Sequence, residues 1–267
     1  MKILTNKTIN VYCNNDTWSE KMSLSNLTID TVNLIDIYGR AETGVSQPFI
    51  VSCDDGCRYY VKGPKMVGCP AICSELLASR IALEWNLPIP TCKFVKVSDE
   101  LLKFNSRDDI YELNSNLLWG VEEIPHAIDY EDFFRKDVNE ELCRKIILFD
   151  WFIKNEDRKI GNSNLLWQVA SKKLFVIDHN NAFDVDFDKC SFWERHVFRD
   201  ENRIVLTADY SKQFIELMQN AYDNLDKYFD LLPFEWINDN FIESYRQRVE
   251  SYLREPFEQP EQFWSGI

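Results

Sequence analysis

The sequence predicts an α+β protein with two lobes, a β-rich N-terminal lobe and a mainly helical C-terminal lobe. Short alternating apolar segments and a hairpin turn concentrate before residue 118, whereas helical periodicity dominates the later part of the chain. Hydrophobic residues make up 45% of the 267 positions, which is enough to fill one large domain or two lobes that share a cleft. We therefore expect the N-terminal lobe at residues 1–118 and the C-terminal lobe at residues 119–267.

Alternation and turn residues predict each element of the N-terminal lobe. The Asp54-Asp55-Gly56 turn separates two of the strands, because Asp-Gly readily supplies the positive φ values of a tight hairpin. A helix over 74–86 has Ser74 as its N-cap and ends before Pro88. The strands are expected at residues 28–38, 48–53, 58–63 and 92–97.

The join between the lobes is a strand end and connector at 117–124. A helix over 139–155 follows, with an Asn cap and apolar residues along one face. Two short β segments come next, at 165–170 and 173–178, and helical periodicity covers most of the chain beyond 207. No internal repeat or low-complexity linker interrupts this order.

The composition of the sequence limits the kinds of molecule that we expect the protein to bind. The formal net charge of −14 repels phosphate backbones and anionic headgroups, so we expect no general nucleic-acid or membrane-surface binding. The sequence has no signal-peptide-like apolar run and no stretch of eighteen consecutive apolar residues, which predicts a cytoplasmic protein without a transmembrane helix. The eight cysteines are interpreted as free thiols, with zinc at Cys53/Cys57 or Cys69/Cys73 as the disfavoured alternative.

Three segments carry residues suited to phosphate chemistry. Asp157 and Asn162 lie five positions apart beyond a predicted helix, and Asp178 follows an apolar strand. Lys62 ends a strand, and Glu75 belongs to the next helix. An Asp carboxylate and an Asn amide are hard oxygen ligands for a metal that bridges phosphates. A second carboxylate orients the incoming hydroxyl, and a cation fixed by a carboxylate neutralises the nucleotide phosphates.

Each of these residues alone has an ordinary structural explanation, such as a solvated lysine, turn chemistry or a helix cap. The five residues taken together are a more specific signal than any one of them. The D-x-x-x-x-N spacing matches the catalytic loop of protein kinases, and the order Lys, Glu, Asp, Asn, Asp is correct for that fold. The sequence has no nucleophile elbow, no dinucleotide-binding or Walker-type glycine motif, and no HExxH spacing. We therefore predict a phosphotransferase that uses ATP and Mg²⁺.

At these residues the chain resembles the HipA-like kinase family, atypical relatives of protein kinases. The most specific part of the resemblance is NEDRKIGN at 155–162, followed by IDHNNAF at 177–183. The resemblance implies a bilobal, protein-kinase-like fold with ATP between the lobes. It extends over roughly residues 30–255 and includes the segments 44–63, 75–90, 117–123 and 149–166.

The resemblance also implies a role for each site residue. Asp157 is expected to be the catalytic aspartate, Asn162 and Asp178 the Mg²⁺ ligands, and Lys62, paired with Glu75, the lysine that contacts the nucleotide phosphates. The remaining cofactor-binding positions are Gly44 and Gln47 in the phosphate loop and the hinge residues Glu122, Glu123 and Ile124.

The acceptor is less well defined than the nucleotide site. Toxin members of the family are Ser/Thr protein kinases with an extra N-terminal subdomain, for which only the residues before about 30 are available here. Lys159 stands where a His is common, and the phosphate loop is shorter than in those kinases. A pseudokinase that binds nucleotide or protein and a small-molecule kinase are therefore alternatives to a Ser/Thr protein kinase. The oligomeric state and self-phosphorylation at Ser46 or Thr43 stay open.

Overall fold

Alternating buried residues close five N-terminal strands into a barrel in the order β1-β2-β3-β5-β4. In β2 every second residue is buried, because successive side chains of a strand point to opposite faces. The β1–β4 pair is parallel and the other four pairs are antiparallel. The strands are β1 (Thr31–Arg40), β2 (Phe49–Cys53), β3 (Arg58–Lys62), β4 (Cys92–Lys96) and β5 (Leu117–Glu122). The computed structural model describes residues 28–42, 46–199, 208–237 and 241–264.

Two glycines are required by the geometry of the barrel. Gly56 forms the predicted hairpin turn with φ 80°, a conformation that glycine adopts without steric cost, and its amide donates to Cys53 O at 3.0 Å. Gly120 lies where β4 and β5 pack closely, and a Cβ atom there would lie 2.6 Å from Val95 Cγ2. A larger residue would strain the backbone at Gly56 and would require Val95 to move at position 120.

Helices α1 (Pro64–Val67) and α2 (Cys69–Glu84) connect β3 to β4. The predicted start of the second helix at Ser74 is wrong, because the helix begins five residues earlier. Pro70 lies in its first turn, where the missing amide hydrogen costs no intrahelical bond. Ser74 is buried inside the helix and shares a 2.8 Å hydrogen bond with Tyr245 OH.

The barrel is completed by the segment that follows β4. Helix α3 (Asp99–Phe104) is capped by Ser98, whose hydroxyl accepts from Leu101 N at 3.2 Å. A 3₁₀ turn at Ile110–Leu113 leads into β5. The lobe boundary predicted after residue 118 falls inside β5, since this strand pairs with β3 and β4 as far as Glu122.

A second, three-stranded sheet follows, formed by β6 (Ala127–Asp129), β7 (Leu165–Gln168) and β8 (Lys173–Val176) in that order. Between β6 and β7 lie a 3₁₀ segment at Asp132–Asp137 and helix α4 (Glu140–Phe152). The predicted cap of α4 is confirmed, because the Asn139 side chain accepts from Glu141 N at 2.7 Å.

The rest of the described chain is helical. Its largest buried cluster joins α2 and α4 to the C-terminal helices, and Trp85 at its centre stacks on Phe152 with ring centroids 5.6 Å apart. Within the described residues, none of the helices is both long and apolar enough to cross a bilayer. The expected α+β architecture, β-rich first and helical later, is confirmed. The C-terminal elements are α5 (Lys189–Arg195), α6 (Ala208–Asp223), α7 (Leu225–Phe229), a 3₁₀ turn at Phe234–Trp236, α8 (Ile242–Glu258) and α9 (Pro260–Trp264).

A buried polar cluster lies just beyond the end of α4. The Arg158 guanidinium is fully buried and donates to Asp150 through Nε at 2.7 Å and through Nη2 at 3.3 Å. Asp150 also accepts from Asn155 Nδ2 at 3.0 Å and lies 3.0 Å from His196 Nε2. The hydrogen bonds of this cluster compensate the cost of removing its charges from water.

The same guanidinium holds two loops side by side. Arg158 Nη1 donates to Asn164 O at 2.5 Å and to Ile177 O at 3.1 Å. The amide of Ile177 in turn donates to Asn164 O at 3.1 Å. The loop at 155–164 and the segment that starts at residue 177 are therefore fixed relative to each other.

Removing this guanidinium should destabilise the fold strongly. We expect Arg158→Met to lower the free energy of unfolding by about 3–5 kcal/mol, because the Asp150 carboxylate would stay buried without its ion-pair partner. Urea denaturation at neutral pH measures this. Arg144→Met is the matched control, since its ion pair with Glu140 is exposed and should contribute below about 1 kcal/mol. Equal losses for the two variants would contradict the assignment.

Acid should weaken the same cluster. Burial raises the pKa of Asp150, but Arg158 and His196 outweigh it and hold the pKa below 3.8. Burial lowers the pKa of His196 below 6.5, although Asp150 opposes the shift. Both groups have a higher pKa in the unfolded chain than in the folded protein. As the pH falls, the unfolded chain therefore binds protons first, and the stability of the fold decreases. His196→Phe should flatten the decline between about pH 7 and pH 5, and His126→Gln should not; a decline that His196→Phe leaves intact would argue against this account.

Candidate active site

A buried lysine at the end of β3 lies between two carboxylates. Lys62 Nζ is 2.7 Å from Asp178 Oδ1 and 3.5 Å from Glu75 Oε2. Residue 62 ends a barrel strand, residue 75 belongs to α2, and residue 178 follows β8. Three elements that are distant in sequence thus converge on one ammonium group.

The group formed by Lys62, Glu75 and Asp178 contains one positive and two negative side chains. Burial lowers the pKa of Lys62, but Glu75 and Asp178 outweigh it and raise the pKa above 10.5. Burial raises the pKa of Glu75, but Lys62 and His179 together lower it to about 2. Burial and the nearby Glu75 raise the pKa of Asp178, even though Lys62 opposes the shift. One ammonium therefore faces two carboxylates, and an additional cation at Asp178 would be favourable.

The loop at 155–164 holds the second acidic residue. Asp157 Oδ2 accepts from Asn162 Nδ2 at 3.3 Å and from Asn164 Nδ2 at 3.2 Å, and Lys159 Nζ lies 3.1 Å from Asp157 Oδ1. The loop is itself anchored, since the Asp157 amide donates to Asn155 Oδ1 at 3.3 Å. The Asp157 carboxylate is thereby oriented from within its own loop.

Asp157 and Asp178 lie in neighbouring segments. Asn164, which donates to Asp157, also accepts the backbone hydrogen bond from Ile177, the residue before Asp178. Asp178 itself has φ 57°, a left-handed conformation that is uncommon for a residue other than glycine. Such conformations cluster at sites where the surrounding contacts impose them.

A cavity of about 850 Å³ opens beside these residues. Its walls come from the barrel, from the segment after β5 and from the loops around β7 and β8. This size is within the range of pockets that bind a nucleotide-sized ligand. The expected site residues among those lining it are Lys62, Glu75, Glu122, Glu123, Ile124, Asn162 and Asp178.

The predicted hinge has one amide that is not used within the described chain. Glu122 N donates to Thr91 O and Glu123 N donates to Arg58 O, both at 2.8 Å. Ile124 N has no hydrogen-bond partner among the described residues, and Ile124 lines the cavity. The Ile124 amide is therefore available to a ligand.

The predicted phosphate loop is only partly described. Gly44 and Thr43 lie outside the described residues. Ser46 and Pro48 line the cavity, but Gln47 between them is not among its lining residues, and its carbonyl accepts from Arg40 Nη1 at 3.1 Å. A contact between ligand and the Gln47 side chain thus has no support from the cavity geometry.

Asn162 and Asp178 suit a hard metal ion such as Mg²⁺. Both line the cavity, and the Asn162 side-chain oxygen accepts no hydrogen bond from the described part of the chain. The excess carboxylate at Lys62 also favours a cation there. No group of three or more His, Cys, Asp or Glu side chains within the described residues forms a metal site, so water and phosphate oxygens would have to complete the coordination.

Several supporting residues lie outside the set of site residues predicted from the sequence. Arg158 is the buried anchor of both loops, and Asn164 orients Asp157. His179 is buried, and its amide donates to Glu75 Oε2 at 3.1 Å. These roles depend on tertiary contacts, and only the apolar neighbourhood of the loops could have indicated their burial.

Comparisons with known proteins agree with this geometry only at the level of the family. No curated protein matches the chain. Among solved structures, a proinflammatory kinase from Helicobacter pylori, CtkA, is 10% identical, with a TM-score of 0.48 over 85% of this chain and 94% of the other. CtTel1 in an open conformation is 17% identical with a TM-score of 0.30, over 81% of this chain and 11% of the other.

A family model gives the stronger result. The model described as HipA-like kinase matches residues 34–267. This match includes β2 to β8, all nine helices of the described chain and every residue of the candidate site. The chain therefore belongs to the HipA-like kinase family.

Proposed function

We propose that this protein is an ATP- and Mg²⁺-dependent kinase of bilobal, protein-kinase-like architecture, with its nucleotide between the β-rich N-terminal lobe and the mainly helical C-terminal lobe. The acceptor is a hydroxyl group, and by analogy with the family it is a Ser or Thr of a protein. The observation that carries the proposal is the position of Lys62, which contacts both Asp178 and Glu75 at the edge of the cavity.

The nucleotide is proposed to enter with its base toward the segment after β5. The unused amide of Ile124 would donate to a ring nitrogen of the adenine. Lys62 would contact the α- and β-phosphates, and Glu75 would hold the ammonium in place, as a buried ion pair fixes a long side chain. The Lys62–Asp178 contact would then give way to contacts with phosphate.

Asp178 and Asn162 are proposed to hold Mg²⁺. When bound, the ion would neutralise charge on the phosphate oxygens. The excess carboxylate at Lys62 supports this assignment, as does the free side-chain oxygen of Asn162. Both residues belong to the loops that Arg158 fastens together, so their separation is set by the fold and not by the ligand.

Asp157 is proposed to orient the acceptor hydroxyl and accept its proton. Asn162 and Asn164 fix its Oδ2, while Oδ1 faces Lys159. Lys159 would exchange this contact for the transferred phosphoryl group, where a cation stabilises the developing charge. Catalysis in this account consists of positioning and charge neutralisation.

Two carboxylate variants test these roles. We expect Asp157→Asn to lower ATP-dependent phosphoryl transfer by about 10²–10⁴-fold, the usual contribution of a positioned acid or base. Asp178→Asn should lower it at least as much, because the metal would lose its carboxylate ligand. Asp186→Asn is the matched control, since this residue is exposed in the same segment as Asp178. Phosphoryl transfer is measured by release of labelled phosphate and by labelling of protein acceptors.

The outcomes separate the proposal from its alternatives. Thermal stabilisation by ATP and Mg²⁺ without turnover would support a pseudokinase, because a ligand stabilises the folded state by binding alone. Turnover with small hydroxyl compounds, but no labelling of proteins, would support a small-molecule kinase. Unchanged turnover in Asp178→Asn would refute the assignment of the site.

A further inference from the structure

A buried lysine precedes the loop of Asp157. Lys154 is 2% exposed and has φ 53°, a conformation that glycine adopts more easily than lysine. It lies two positions after the end of α4 and three positions before Asp157. A long charged side chain is rarely buried without a specific partner.

The partners of this lysine come mainly from the C-terminal helices. Lys154 Nζ lies 2.5 Å from Glu255 Oε2. Four aromatic rings surround the ammonium within the distance of a cation–π contact. Their centroids lie 4.9 Å (Trp151), 5.1 Å (Phe263), 5.5 Å (Phe187) and 6.0 Å (Tyr252) from Nζ. We call Lys154, Glu255 and these four rings the Lys154 clamp.

Glu255 supplies the negative charge that stabilises the buried ammonium of Lys154. Burial lowers the pKa of Lys154, and the negatively charged Glu255 beside it opposes the shift. Glu255 also pairs with Lys189 at 3.2 Å, but Lys189 is much more exposed, with 38% of its side chain accessible against 3% for Lys154. The Lys154–Glu255 pair is therefore less exposed to water than the Lys189–Glu255 pair. Its electrostatic interaction is stronger for that reason.

Helix α8 also contacts the segment after Asp178. Tyr252 OH donates to Asp184 O at 2.9 Å. Asp184 N donates to Lys154 O at 3.5 Å, and Phe183 N donates to Ile153 O at 2.7 Å. One face of α8 thus contacts both segments that carry the proposed catalytic aspartates, although neither Tyr252 nor Glu255 lines the cavity.

We propose that α8 and α9 act as a brace that positions the two catalytic segments, with Glu255 holding the Asp157 loop through Lys154 and Tyr252 holding the segment after Asp178. The catalytic part of this inference rests on the proposed kinase function. Lys154, Glu255 and Tyr252 are positioning residues, which affect the reaction through the placement of Asp157 and Asp178. The C-terminal helices would then set the turnover rate without contacting the nucleotide.

Glu255→Gln tests the brace. We expect its kcat to fall by about 10²-fold, the cost of a displacement of roughly 1 Å at a reacting centre, while the KM for ATP stays within about twofold. Deuterium uptake at residues 153–164 and 178–187 should become faster in the free protein. Lys189→Met and Glu250→Gln are controls, since the first removes the exposed partner of Glu255 and the second an exposed ion pair of the same helix.

A double variant distinguishes positioning from stability. Replacing both members of a buried ion pair by apolar residues is often neutral for stability, so Lys154→Met/Glu255→Met should regain the melting temperature of the wild type. The brace predicts that kcat stays low in this double variant, because the ion pair that joins α8 to residue 154 is lost. Recovery of both quantities would overturn the proposal and indicate a purely structural pair.

Measuring both kcat and deuterium uptake also separates this inference from the proposed function. If the wild type transfers no phosphate, the kinase proposal fails, and deuterium uptake alone decides whether α8 holds the two segments. Uptake at 153–164 that is the same in Glu255→Gln, Lys189→Met and the wild type would overturn the brace, whatever the activity.

Discussion

The arrangement of the candidate site depends on one buried guanidinium. Arg158 pairs with Asp150 and donates to the carbonyl groups of Asn164 and Ile177, so a single planar group fixes the end of α4 and two loops. Arginine suits this task because its donors are rigidly arranged and its charge persists at every physiological pH. The distance between Asp157 and Asp178 is therefore a property of the buried cluster. A ligand would meet these carboxylates already positioned, which is the condition for electrostatic catalysis.

Charge imbalance gives the site its chemistry. The protein as a whole carries a net charge of −14, and at the cavity two carboxylates share the single ammonium of Lys62. A bare polyphosphate would be repelled by such a surface, whereas its complex with a divalent cation would be accepted. The same excess of negative charge is consistent with the metal proposed at Asp178. The C-terminal helices contact the same two segments through the Lys154–Glu255 ion pair and the hydrogen bond from Tyr252 to Asp184.

Local patterns in the sequence predicted the order of the elements, and several of the predicted site residues line the cavity. Alternation identified the barrel strands, and Asn139 marked the start of α4, because these signals act within a few residues. The start of α2 was misplaced, since Ser74 is a plausible cap, and the proline and glycine signal at 68–70 lay five residues earlier. The contact of Lys154 with Glu255 and that of Arg158 with Ile177 were not predictable, because these residues are far apart in sequence and meet only in the folded chain. Spacing placed Asp157 and Asn162 together, but the fold alone reveals how Asn164 and Ile177 connect them to Asp178.

The central claim is that Lys62, Asn162 and Asp178 bind a metal–nucleotide complex in the cavity. A crystal structure with Mn²⁺ and a non-hydrolysable ATP analogue, recorded with anomalous scattering, tests it most directly. The account predicts an anomalous peak within about 2.0–2.3 Å of oxygen atoms of Asp178 and Asn162, with Lys62 turned toward the phosphates. A nucleotide bound elsewhere, or a metal peak away from both side chains, would contradict it.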